Sequence, residues 1–224
     1  MLREIAGPAG PLEALLEEPA AGSGVNRNGL VERGRGETLR AAVVFGHPHP
    51  QYGGTMHTKA VFQSAKALVR IGCAVLRFNF RGVGRSAGTF DVGVGEQDDF
   101  RAALDFVHEK YPGAPLWAAG MSFGSWIALS VGAADLRVST LIGISMPLSR
   151  YDFTPLAESP KPKFFIQAER DEICPLKDAR EFYARAAEPK ELVIIDGADH
   201  VFEGKASEVA DALEDLLGDW PPRQ

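Results

Sequence analysis

The chain lacks nearly everything that would tie it to a disulfide scaffold, a bilayer or a polyanion. It has two cysteines in 224 residues, Cys73 and Cys174, too few for a disulfide framework. Cys73 opens an apolar run and reads as core, and Cys174 as a small wall residue. No apolar stretch is long enough to span a bilayer, and the beginning, with Arg3, Glu4 and Pro8, has no apolar run of signal-peptide length. A cytoplasmic location is therefore expected. Positive charge is also scarce: 24 Lys and Arg stand against 30 Asp and Glu, for a net charge of −6. Nucleic-acid binding depends on basic patches that neutralise phosphates, so nucleic acid is not an expected partner. Arg33-Gly34-Arg35 reads as solvated loop. Internal repeats and linker-like boundaries are missing as well. The length suits one well-buried domain over residues 1–224.

What is present is an alternation of apolar, β-branched runs with amphipathic segments, the pattern of a largely parallel sheet covered by helices. Strands are expected at Leu2 to Ile5 and Leu12 to Leu16, joined by so short a connection that they must pair antiparallel. A polar, Gly-rich loop from about Glu17 to Glu37, expected to be mobile, precedes a third strand at Arg40 to Phe45. Further strands read at Ala74 to Phe80, before Ser122, at Val138 to Ile144, at Lys163 to Gln167 and at Glu191 to Ile195. Between them Val61, Ala65 and Leu68, then Phe100, Ala103, Leu104 and Val107, recur at helical spacing. Ala179, Phe182, Tyr183 and Ala186 form another such face, and Val209, Leu213, Leu216 and Leu217 the last.

Gly120-Met121-Ser122-Phe123-Gly124 lies between the apolar run Pro115 to Ala119 and the helix-like run Ser125 to Val131. Strand, sharp turn and helix are the context of a nucleophile elbow, which projects a serine hydroxyl above the sheet. A serine hydroxyl needs a base, and the base a third group that orients it. Two other strand ends supply them: Glu169-Arg170-Asp171-Glu172 and Asp196-Gly197-Ala198-Asp199-His200. Ser122, Asp171 and His200 stand in the order Ser, Asp, His, and the carboxyl ends of parallel strands converge on one edge. Asp199 is read as supporting its loop, with Glu169 and Glu172 pointing elsewhere. For the developing oxyanion, one donor is the Phe123 backbone N–H at a helix start. The other is expected from Gly46-His47-Pro48-His49-Pro50-Gln51-Tyr52-Gly53-Gly54. The prolines have no N–H, so His49 is the first choice, with Gln51 or Tyr52 behind it.

His47, His49 and His57 could suggest a metal, but their spacing lacks a recognisable ligand set; no metal and no cofactor is expected. His47 is read as shaping the oxyanion loop. Gly82-Val83-Gly84-Arg85-Ser86-Ala87 imitates a dinucleotide fingerprint, but it follows the fourth strand and lacks the acidic residue that should come about twenty residues later. It reads as a tight turn, with Arg77 and Arg81 fixing the neighbouring loops.

Taken together, His47 to Met56, Arg77 to Ser86, Gly120 to Gly124, Asp171 with Pro175, and Gly197 to His200 resemble the α/β-hydrolases. Within that superfamily the chain is similar to small, lidless hydrolases related to the dienelactone hydrolase group. The resemblance covers nearly the whole chain. It implies an eight-stranded, mostly parallel sheet with helices on both faces and no cap, and Ser122, Asp171 and His200 as the triad. Dienelactone hydrolases proper have a Cys nucleophile where this chain has Ser122, and His57 stands where such relatives usually carry an acidic or amide residue. The expected function is a serine carboxylesterase that hydrolyses short-chain acyl esters through an acyl-enzyme. Thioester or small amide and peptide hydrolysis would use the same triad, and a non-catalytic binding protein could retain the fold. Met146, Leu148, Tyr151, Phe153 and Leu156, with Tyr52, are expected to wall one side of the pocket. The expected partner is a small acyl ester, with no membrane involved and the oligomeric state left open.

Overall fold

The computed structural model describes residues 2–20 and 39–220. The Gly-rich loop expected up to Glu37, including Arg33-Gly34-Arg35, lies for the most part outside the described residues. Eight strands form one sheet: β1 (Leu2–Gly7), β2 (Gly10–Glu17), β3 (Ala42–Gly46), β4 (Ala74–Phe78), β5 (Leu116–Met121), β6 (Val138–Ile144), β7 (Lys163–Ala168) and β8 (Lys190–Ile195). Their spatial order is β1-β2-β4-β3-β5-β6-β7-β8. β1 and β2 pair antiparallel as expected, Ile5 opposite Leu12, and β2 pairs antiparallel with β4. From β4 across to β8 every pairing is parallel.

The central strands are apolar at nearly every position because both faces are covered. Along β3, Ala42 and Val44 enter one core while Val43 and Phe45 enter the other. The first core is closed by α2 (Val94–Lys110), α3 (Phe123–Ala134), α4 (Thr154–Glu158) and α5 (Leu176–Arg185). The second is closed by α1 (Lys59–Arg70) and α6 (Ala206–Leu217). The helical faces read from spacing are the ones that pack inward: Val61, Ala65 and Leu68 of α1 and Phe100, Ala103, Leu104 and Val107 of α2 are fully buried.

Several strands run one or two residues past the expected ends. β3 starts later and β4 stops earlier than expected, each for a local reason. Arg40 lies before β3, its guanidinium donating to the carbonyls of Leu217, Gly218 and Trp220 at 2.6, 2.5 and 3.0 Å, so it caps the end of α6. β4 stops at Phe78 because Asn79 turns its amide to Glu13 and accepts the Met56 N–H. As read, Arg77 and Arg81 tie loops down: buried Arg77 donates to the Met56 carbonyl and to Glu17, and Arg81 makes a two-pronged pair with buried Asp99. Between β6 and β7 there is only a short loop and the five-residue α4, so among the described residues no cap is inserted at the carboxyl edge of the sheet. Among the described residues no helix is long and apolar enough to cross a membrane.

Candidate active site

Ser122 follows the last residue of β5 and precedes the first of α3, with φ 53° and ψ −126°. A non-glycine residue at positive φ is strained by roughly 1–3 kcal/mol and persists only where its surroundings enforce it. Here the Ser122 N–H donates to the Ile144 carbonyl at 2.9 Å, and its own carbonyl accepts from the backbone and hydroxyl of Ser125. Three glycines let the turn close. A Cβ on Gly120 would lie 2.2 Å from the Gly124 carbonyl oxygen, and one on Gly124 would lie 2.4 Å from the Gly46 carbonyl. The close approach at Gly120 and Gly124 therefore has a third member. Gly46 ends β3, and its part is visible in sequence only as a glycine at a strand end.

The three residues read from separate strand ends meet. The Ser122 hydroxyl oxygen is 2.8 Å from His200 Nε2, and His200 Nδ1 is 2.8 and 2.9 Å from the two Asp171 carboxylate oxygens. Ser122, Asp171 and His200 are 8%, 5% and 3% exposed. The hydrogen bonds are thus shielded from water, yet the serine keeps an accessible edge. Burial alone would push the Asp171 carboxyl up, but His200 and the N–H groups of Cys174 and Ile173 outweigh it and hold it below the usual aspartate range. Gln167, not singled out in the sequence, completes the set: its side-chain amide donates to Asp171 and to the Cys174 carbonyl, both at 3.0 Å. The neighbouring acids have other work. Glu169 accepts the Gly197 N–H at 2.7 Å, Glu172 the His200 N–H at 3.4 Å, and Asp199 the Glu203 N–H at 2.9 Å. The first two bonds splice the loops after β7 and β8 together, and the third supports the loop after β8, as read for Asp199.

The loop after β3 narrows the choice of a second donor. The Gln51 N–H is engaged by His49 Nδ1 and the Tyr52 N–H by the His49 carbonyl. The N–H groups of His49 and Phe123 have no acceptor among the described residues. His47 lies beneath this loop, fully buried, with Nδ1 2.6 Å from the Pro48 carbonyl and Nε2 accepting the Phe80 N–H. Burial pushes its pKa down to about 4, so it is neutral at pH 7 and acts as a bracket between two loops. His57 is exposed elsewhere, and among the described residues no group of three or more His, Cys, Asp or Glu side chains is arranged to hold a metal.

The expected pocket wall needs correction. Met146 and Phe153 are 3% and 4% exposed and belong to the core under α3 and α5; Phe153 packs edge-on against Phe182. Their helix-side burial, rather than a pocket, explains their apolar character. Tyr52 is exposed and Tyr151 half-buried against Trp126.

A strained serine between strand and helix, bonded to a buried histidine and carboxylate at the carboxyl edge of such a sheet, defines an α/β serine hydrolase. Residues 37–157 match the family described as serine aminopeptidase, S33, and the chain belongs to this family. An uncharacterized protein of Rickettsia prowazekii is 40% identical over 76% of each chain. An α/β serine hydrolase homologue from Coxiella burnetii is 34% identical, with a TM-score of 0.85 over 97% of both chains. The lidless α/β serine hydrolase XC6422 from Xanthomonas campestris is 33% identical, also with a TM-score of 0.85, over 100% of this chain and 96% of that one.

Proposed function

We propose that this serine hydrolase is a carboxylesterase that acts on short-chain acyl esters. The observation that carries the reading is the unbroken Ser122–His200–Asp171 hydrogen-bond series, with contacts of 2.8–2.9 Å. Ser122 Oγ attacks the acyl carbonyl while His200 Nε2 takes its proton. The carbonyl oxygen becomes an oxyanion that the N–H groups of Phe123 and His49 receive. The C–O bond to the alcohol breaks, His200 returns the proton to the leaving alkoxide, and an acyl-Ser122 ester remains. His200 then deprotonates water, whose attack releases the acid and restores Ser122. Asp171 holds the imidazole in the required tautomer and stabilises its cation. With Cys73 and Cys174 both free thiols, the reading includes a cytoplasmic location.

The short segment between β6 and β7 supports a short acyl group. Each buried methylene adds about 0.8 kcal/mol only while there is wall to bury it, so kcat/KM should peak at acyl chains of roughly two to six carbons. A second reading, amide hydrolysis from an amino terminus, is favoured by the description of the family model. Matched ester, thioester and anilide substrates separate these, and a fluorophosphonate should label Ser122. Ser122→Ala should fold normally and lose about 10³-fold or more in kcat. Near wild-type esterase activity in that variant excludes Ser122, and anilide turnover above ester turnover favours the second reading.

A further inference from the structure

The rings around the two free N–H groups form a wall that acyl transfer itself does not require. Phe123, 1% exposed, is its centre. On one side His49 lies 4.9 Å from Phe123, 4.7 Å from Tyr52 and 5.0 Å from Phe90. On the other, Trp126 and Tyr151 lie 5.8 and 6.0 Å from Phe123 and stack on each other at 4.1 Å with a 10° tilt. Exposure rises outward: His49, Phe90, Trp126 and Tyr151 are half-buried, and Tyr52 is 81% exposed.

Single exposed apolar residues are ordinary, but a cluster marks a binding site. Five large hydrophobics are exposed among the described residues, and four of them flank this edge of the sheet: Tyr52, Val92, Val94 and Val201, next to His200. Gly93, between Val92 and Val94, backs onto the wall at Trp126, where a Cβ would stand 2.2 Å from the indole ring.

Charge points the same way. Arg150, beside Tyr151, makes no ion pair and no side-chain hydrogen bond among the described residues, and its charge acts on both His49 and Tyr151. The adjacent Asp152 carboxylate is occupied by the Thr154 N–H at 2.8 Å. An exposed, unpaired arginine next to Tyr151 in the chain suits a carboxylate, which it can grip with two parallel hydrogen bonds.

We propose that this wall receives a planar aromatic group in the alcohol portion of the substrate, and that Arg150 binds a carboxylate carried on that ring. The proposal rests on the esterase reading for which bond is cut, and on the ring geometry for what is recognised. The alcohol side is assigned because the esterase reading gives the substrate a short acyl group.

The test compares benzyl butyrate with cyclohexylmethyl butyrate, which release primary alcohols of similar size but different shape. Aromatic pairs gain from edge and offset contacts beyond their area, so kcat/KM should favour the benzyl ester by about 2- to 10-fold. Trp126→Leu and, separately, Tyr151→Leu should each abolish that preference. The 4-carboxybenzyl ester should be preferred over the 4-carbamoylbenzyl ester, and Arg150→Gln should remove or invert that ratio. Equal wild-type rates for the benzyl and cyclohexylmethyl esters, a ratio that survives in both wall variants, or a carboxylate ratio untouched by Arg150→Gln would each overturn the proposal. Calorimetry on the Ser122→Ala protein with 4-carboxybenzyl alcohol and its carbamoyl analogue keeps recognition apart from chemistry. Selective binding there, with no ester hydrolysed by the wild type, sinks the esterase reading and leaves the wall standing. Normal hydrolysis of methyl butyrate with no selective binding sinks the wall alone.

Discussion

Two buried histidines stand at the carboxyl edge of the same sheet, and their surroundings give them opposite chemistry. His200 faces a carboxylate: Asp171 meets its Nδ1, and Nε2 is left for the Ser122 hydroxyl. His47 faces only backbone, the Pro48 carbonyl at Nδ1 and the Phe80 N–H at Nε2. Desolvation disfavours a charged imidazole, and a nearby carboxylate is what offsets it. Without one, His47 is held neutral, with a pKa of about 4, and serves as a fixed donor and acceptor. Two histidines of similar burial are thus a base and a bracket, and a single carboxylate makes the difference.

The strongest test of that contrast removes the carboxylate's charge and keeps its shape. Asp171→Asn should lower kcat by about 10²–10⁴, because an amide facing Nδ1 favours the wrong tautomer and leaves the imidazolium unsupported. His47→Gln, which offers a carbonyl and an amide to the same backbone partners, should retain most of the activity. Comparable losses in the two variants would mean that His47 is more than a bracket.

Acid titration sharpens the comparison, because the two regions fail in different pH windows. As pH falls below 6.5 the unfolded chain protonates its histidine, whereas folded His47 resists until about 4. Stability from this residue is therefore present above pH 6.5 and lost between 6.5 and about 4, by roughly 3 kcal/mol. Asp171 is depressed from 3.8, so its contribution is present above that value and lost only at lower pH. Urea melts of wild type and His47→Gln between pH 7 and 4 check this: the variant should show a shallower decline. Identical slopes would show that His47 is not the residue that senses acid. His47→Ala, which strands the buried Phe80 N–H, should cost about 1–3 kcal/mol at pH 7.

These contrasts also explain what could be seen in the sequence. Ser122, Asp171 and His200 were legible because each stands where an apolar run ends, and parallel strands bring such ends to one edge. The sheet was legible because burial on two faces leaves a continuous apolar run, its antiparallel start because the connection is short, and the inward helix faces because of their spacing. Gln167 and Gly46 were not, because their parts arise from contacts across the fold: Gln167 reaches Asp171 and Cys174, and Gly46 backs onto Gly124. Met146 and Phe153 were misread because an apolar side chain in a loop looks alike whether it faces a pocket or a core. The neighbour that decides, Phe182 against Phe153, is on another helix. The free N–H of His49 was selected by excluding proline, and the bonds that engage Gln51 and Tyr52 supply the physical reason.

The smallest expected effect comes from the same carboxylate-to-amide change two positions before Asp171. Glu169 accepts one hydrogen bond, from the Gly197 N–H at 2.7 Å, on the exposed side of the loop. Glu169→Gln keeps an oxygen for that bond and removes only a solvated charge, and surface changes of this kind stay within about 0.5 kcal/mol. Its kcat should remain within about threefold of wild type, since 0.5 kcal/mol is worth little more than a factor of two. The Asp171 carboxylate accepts from Ile173, Cys174 and Gln167 as well as meeting His200, so there the charge itself is in use. Measured side by side at saturating ester, the two amides should differ in kcat by about two orders of magnitude or more. If Glu169→Gln is the crippled enzyme and Asp171→Asn the healthy one, the acid that orients His200 has been assigned to the wrong residue.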